Sequence, residues 1–191
     1  MKRLALILLA AAAVPGIAHA QSDTATADVG VSGNVAKLCM LGTPTPAPVD
    51  LGQMANTSGT RVGRIATIAT RTVTLPGSFC NFAGSAVTVT ATALVATDPA
   101  PVEPGFARAV NYTASVTNWA AGSASVTTAA TAAGGTPTAS STGATQGAPK
   151  VADLSVALSN FTAPSDLLLN AGNYSGLVVI TLGPVAAGGG E

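Results

Sequence analysis

Covalent chemistry needs nucleophiles, bases and ligands, and this chain of 191 residues supplies few of them. Its single histidine, His19, stands between Ala18 and Ala20 at the end of an apolar leader. With that leader removed no histidine remains, which excludes Ser-His-Asp and Cys-His nucleophile arrangements and histidine-bound metals. The acidic side chains, Asp23, Asp28, Asp50, Asp98, Glu103, Asp153, Asp166 and Glu191, are scattered singly. Glycoside hydrolysis needs two carboxylates that face each other, and nothing in this spacing pairs any two. The reading is a protein that is not an enzyme and uses no cofactor and no metal. Cys39 and Cys80 remain, and two cysteines in an exported protein most simply form one disulfide. That bridge would close 41 residues.

The leader covers residues 1–20 and reads as a Sec signal peptide. Lys2 and Arg3 begin it, residues 4–14 are apolar but too few to span a bilayer, and Ala18-His19-Ala20 is a small-x-small cleavage site. The mature chain is expected to begin at Gln21 as one exported domain. Losing Lys2 and Arg3 leaves six basic against eight acidic side chains. A mildly acidic, charge-poor surface argues against nucleic acid as a partner.

The elements that must position the cysteines are strands. Thr and Val are abundant, charge is 8% and aromatics are 4%, and no stretch after residue 20 sustains a helical period. Residues 24–39 alternate, with Ala25, Ala27, Val29, Val31, Gly33 and Val35 on one parity. They are expected to form a long first strand. A proline-rich loop follows over residues 42–48. Residues 70–80 read as a strand with a turn at Pro76-Gly77, and residues 85–96 as a cleanly alternating one. In residues 110–119, Val110, Tyr112, Ala114 and Val116 share a face and Trp119 has the opposite parity. Residues 120–149 are Ala/Thr/Gly/Ser-rich and read as mostly a flexible insertion, with room for a short hairpin around Val126. Residues 151–161 alternate again. The total is six or seven strands without helices, the pattern of a sandwich.

The last stretch, residues 167–184, organises the rest. After a turn at residues 170–173, Tyr174, Gly176, Val178, Ile180 and Leu182 share one parity, and Leu177, Val179 and Thr181 the other. A strand apolar on both faces is covered on both or awaits a cover. Pro184 and the tail of residues 186–191 bring no further strand to pair with it. An unpaired apolar edge invites another chain.

The order of these features resembles the subunits of chaperone–usher pili, and within them the spore coat protein U domain. The features are the alternating N-terminal extension, Cys39, Val49-Asp50-Leu51-Gly52, Thr72-Val73-Thr74-Leu75, Cys80, Val110-Asn111-Tyr112 leading to Trp119, and Gly172-Asn173-Tyr174 at the turn of a last hairpin. This chain departs from that pattern at Gly176, where the family often has an acid, and in its Gly-rich tail. The resemblance implies an incomplete immunoglobulin-like sandwich over residues 33–191. Residues 21–32 would be a donor strand presenting Ala25, Ala27, Val29 and Val31, and Tyr174, Val178, Ile180 and Leu182 an acceptor edge. It implies neighbouring pilus subunits, a periplasmic chaperone and an outer-membrane usher as partners. The location would be the periplasm and then the cell surface, in adhesion or biofilm formation. The alternative is a monomeric exported sandwich binding a carbohydrate or surface ligand, for which Tyr112 with Trp119 is the candidate aromatic cluster.

Overall fold

The structure is a computed structural model that describes residues 24–98, 101–135 and 137–185. The leader, residues 21–23 of the expected donor strand and the tail of residues 186–191 lie outside the described residues.

The chain divides at Val35 into two units. In the first, residues 24–35 carry no strand and all are exposed; Val29, Val31 and Val35 are 84%, 94% and 85% accessible. The expected strand over residues 24–39 is therefore corrected: only β1, Cys39–Met40, forms. Alternating side chains make a strand only where a neighbouring ladder takes the backbone N–H and C=O groups.

The second unit is nearly all β. β2 (Arg71–Cys80), β3 (Ser85–Ala91) and β4 (Leu94–Ala96) are followed by β5 (Phe106–Ala107) and β6 (Ala109–Val116). Then come β7 (Ala124–Thr127), β8 (Ala139–Thr142), β9 (Lys150–Thr162) and a single 3-10 turn at Pro164–Asp166. β10 (Leu168–Leu169), β11 (Tyr174–Ser175) and β12 (Val178–Pro184) complete it. One sheet runs β1-β2-β9-β6-β4-β11, with β7 also on β6. The second runs β12-β3-β8, and β5 and β10 make a small parallel pair.

Two of the expected strands change sheets, and each counts as two. Residues 85–96 break at Thr92-Ala93, so β3 serves the second sheet and β4 the first. The closing stretch breaks beside it at Gly176-Leu177, so β11 pairs β4 while β12 pairs β3. The two breaks lie against each other. A Cβ at Gly176 would stand 2.9 Å from the Ala93 carbonyl oxygen and 3.0 Å from that of Thr92, so only glycine passes there. The expected last hairpin is accordingly absent: β9 and β12 belong to different sheets.

Pro76-Gly77 is a bulge inside β2 rather than a turn, with register against β9 shifting between Leu75 and Ser78. Gly77 takes φ +62° there, and its N–H donates to Asp153 Oδ1 at 2.8 Å.

Residues 120–149 are not a flexible insertion. β7 pairs β6, the strand before it, so Val126 lies opposite Ala114 in a hairpin that reaches back into β6, and β8 pairs β3. Low hydrophobicity misleads here because a strand joining a sheet edge needs backbone groups more than large side chains. Outward hydroxyls add cross-strand pairs: Thr88 with Thr142 at 2.8 Å, Thr90 with Ser140 at 3.0 Å and Thr113 with Thr127 at 2.8 Å.

The two sheets share one core. Val73, Leu75, Val110, Tyr112, Val116, Leu154 and Val156 come from the first sheet, and Val87, Val89 and Ala91 from the second. The Cys39–Cys80 disulfide forms as expected, between residues directly opposite in β1 and β2. Cys80 is buried in this core.

Candidate functional site

At one side the two sheets do not close. β12 ends the second sheet, and among the described residues its outer edge pairs with no strand. The antiparallel alternation shows which groups it leaves open. Thr92 donates to the Leu177 carbonyl and Gly143 to the Val87 carbonyl, so even residues of β3 face β12 and odd ones face β8. In register, Val179 and Thr181 turn their backbone groups to Thr90 and Thr88. Val178, Ile180 and Leu182 turn theirs to the free edge, while their half-buried side chains pack on the core.

The first sheet ends in residues 41–51. These leave β1 and ride on β2: Thr45 and Thr74 exchange both backbone bonds at 2.8 Å. The β2 bulge seats them. A Cβ at Gly42 would fall 1.8 Å from the Pro76 carbonyl oxygen. The Gly42 N–H donates to Ser78 Oγ at 3.0 Å, and that buried hydroxyl donates to the Leu75 carbonyl at 2.9 Å.

Between these rims lies a groove of about 500 Å³. Leu75, Tyr112, Val156, Leu158 and Phe161 are among the residues of its floor, with Leu41, Val49 and Leu51 on one wall and Leu177, Val178 and Ile180 on the other. No charged side chain lines it. Its one ionisable group is the Tyr112 phenol, which donates to the Thr92 carbonyl at 2.9 Å. Burial pushes that phenol up to about 12. A site of this kind holds apolar surface and has nothing with which to transfer a proton near neutrality.

Of the residues expected at the acceptor edge, Val178 and Ile180 line the groove. Leu182 lies on the same edge farther along β12. Tyr174 is elsewhere, in β11 opposite Ala96, its hydroxyl donating to the Asn170 carbonyl at 2.8 Å. Leu177 and Val179 are exposed, so β12 is apolar on both faces without being covered on both. Ala25, Ala27, Val29 and Val31 are exposed in the first unit. Tyr112 and Trp119 are 3% and 2% accessible, so they form no surface platform; their rings belong to the core, Tyr112 stacking on Phe161 at 5.8 Å. Lys150 Nζ sits 5.6 Å from the Trp119 ring centroid.

The proline-rich rim is the part of the site that sequence reasoning missed. Residues 42–48 are the loop that their prolines predict, bridged to β2 only at Thr45, and what the sequence does not signal is that this loop walls the groove.

The remaining clusters offer no chemistry. Asp166 accepts from Arg61 at 2.7 Å and from Arg64 at 3.1 Å on the surface; the hydrogen bond from Arg61 is the main cause of its lowered pKa. Among the described residues no three His, Cys, Asp or Glu side chains are placed to hold a metal ion, and no helix is long and apolar enough to cross a membrane. No family model, curated protein or solved structure matches the chain.

Proposed function

We propose that this protein is a structural subunit of an exported fimbria, assembled by donor-strand exchange through the chaperone–usher route. The carrying observation is that the second unit has an apolar groove beside an unpaired strand edge, while residues 24–35 present alternating apolar side chains to solvent. One unit lacks a strand and the other has the pattern of one. In this reading the second unit is an incomplete immunoglobulin-like sandwich. Ala25, Ala27, Val29 and Val31 of one copy enter the groove of the next, after a periplasmic chaperone has held the edge and an usher has exchanged it. Head-to-tail contact of this kind builds an open filament. Burying Val29 and Val31 contributes about 1.5–3 kcal/mol each, the alanines less, alongside the backbone ladder. Adhesion or biofilm formation is the role such a filament serves at the cell surface. Export by the leader and the oxidising compartment it reaches agree with the disulfide.

The test is polymer formation by chains exported with the matching chaperone and usher. Wild type and Asp28→Ser should give SDS-resistant ladders, because Asp28 lies on the outward parity. Val29→Asp with Val31→Asp should give soluble monomer and no ladder. Ladders from the double variant, or a wild type that stays monomeric with its usher present, would sink donor-strand exchange.

A further inference from the structure

The chain leaves the second unit through residues 36–38, next to the disulfide, and one side chain holds it there. β1 is only Cys39 and Met40, and its antiparallel register against β2 puts Leu38 opposite Asn81. The Asn81 N–H donates to the Leu38 carbonyl at 3.0 Å, as in a ladder. The return bond goes to the side chain: the Leu38 N–H donates to Asn81 Oδ1 at 2.8 Å, so the amide oxygen stands in for a backbone carbonyl. The other half of that amide, Nδ2, donates to the Ala36 carbonyl at 2.8 Å. Lys37, between the two, sets its Nζ 5.3 Å from the centroid of the Phe82 ring, and Phe82 packs on the core. A surface hydrogen bond contributes little when it must also order its partners. Here the Cys39–Cys80 bridge already keeps the two segments side by side, so little ordering is left to oppose these bonds. Residues 24–35, before them, carry no strand and are exposed.

We infer that Asn81 is a positioning residue that sets the length of the link between successive subunits. This rests on the donor-strand reading. With Ala25, Ala27, Val29 and Val31 in the groove of the next copy, the free chain is residues 32–35, and Val31 to Ala36 spans at most about 18 Å. If residues 36–38 were not held, the next fixed point would be Cys39, and the span would reach about 29 Å. The short link keeps neighbouring domains close and limits their swing. The longer one, with Gly33 in it, would leave them loosely tethered.

The test compares filaments exported with the matching chaperone and usher from wild type, Asn81→Ala, Asn81→Asp and a chain with Gly-Ser-Gly inserted between Val35 and Ala36. The insertion adds about 11 Å of reach and leaves Asn81 in place. Asn81→Asp keeps an acceptor for Leu38 and loses the donor to Ala36. Every chain should give SDS-resistant ladders, because the donor side chains and the groove are untouched. In electron micrographs Asn81→Ala should lengthen the mean subunit spacing by up to about 11 Å and bend the filament more, as the insertion does. Asn81→Asp should fall between it and wild type. In the monomer carrying Val29→Asp and Val31→Asp, Asn81→Ala should speed amide exchange at Leu38 by about two- to twelvefold for each bond lost. Wild-type spacing and curvature in Asn81→Ala filaments, beside a lengthened insertion filament, would overturn the inference and leave donor-strand exchange standing. Unchanged exchange at Leu38 would overturn it too. Spacing that ignores the insertion as well would do the same, since the link would not then set it. A wild type that gives no ladder removes the donor-strand reading itself, and this inference with it.

Discussion

Replacing both cysteines, Cys39→Ala with Cys80→Ala, isolates the one covalent constraint on the groove. The bridge closes 41 residues, and chain-entropy arithmetic for a loop of that size gives about 4 kcal/mol at 25 °C. Cys80 is buried, so trimming it adds a packing loss of about 1 kcal/mol. Domains have about 5–15 kcal/mol in all, and at this size each kcal/mol moves Tm by about 2–4 °C. The double variant should therefore melt roughly 10–20 °C lower, from a loss of about 5 kcal/mol. Urea titration followed by far-UV circular dichroism measures the loss. The wild type measured in reductant separates its parts, because reduction removes the crosslink and keeps the sulfur. The reduced wild type should recover only about 1 kcal/mol over the variant. The slope against urea should rise in both, since an uncrosslinked unfolded chain exposes more surface. A total loss below about 1 kcal/mol, or two free thiols in the mass of the exported protein, would refute the argument.

Gly42→Ala should destabilise the fold by about 1–3 kcal/mol and weaken binding of a synthetic peptide of residues 21–35, because the new Cβ meets the Pro76 carbonyl and unseats the rim; unchanged urea midpoint and affinity would show the rim is not seated there. Tyr112 gives a pH signature. Its phenol ionises near 10 when unfolded and at about 12 when folded, so the folded state holds the proton between those values and stability falls as pH rises through them. Urea midpoints at about pH 9 and about pH 11 should diverge for wild type and much less for Tyr112→Phe; parallel declines would assign the alkaline loss to other groups.

Much of this fold was written in residue alternation. Val110, Tyr112, Ala114 and Val116 are all buried, and Leu154 and Val156 likewise, because a sheet face against a core leaves period 2 in the sequence. Alternation cannot say which sheet a strand joins. Residues 85–96 and 174–184 read as single strands, and both cross between sheets where Gly176 lets two backbones touch. Nor does it say whether a partner exists. Residues 24–35 carry the pattern and form no strand, whereas residues 139–142 carry little of it and do, because β3 offers them an edge. The groove wall at Val178 and Ile180 was legible as an apolar strand alternating up to Pro184. The opposite wall was not, because residues 42–48 are a loop, as their prolines predict, and a loop's composition does not say what it packs beside.

The open groove also bears on how such a molecule avoids sticking to itself in the wrong way. An open groove and a bare edge are an aggregation hazard, and charge, the commonest remedy, is absent from this lining. Pro44, Pro46 and Pro48 take three N–H donors from the first rim. The second is kept short instead: β12 has three outward residues before Pro184, and Gly183 precedes that stop. Two β12 edges meeting each other would form only a few backbone bonds and leave both grooves empty. A single extended strand lying in the groove forms a similar number of bonds and also buries its side chains on Leu75, Tyr112 and Phe161. In the proposed donor-strand reading, the edge is long enough to pair with a donor that fills the groove and too short to reward one that does not.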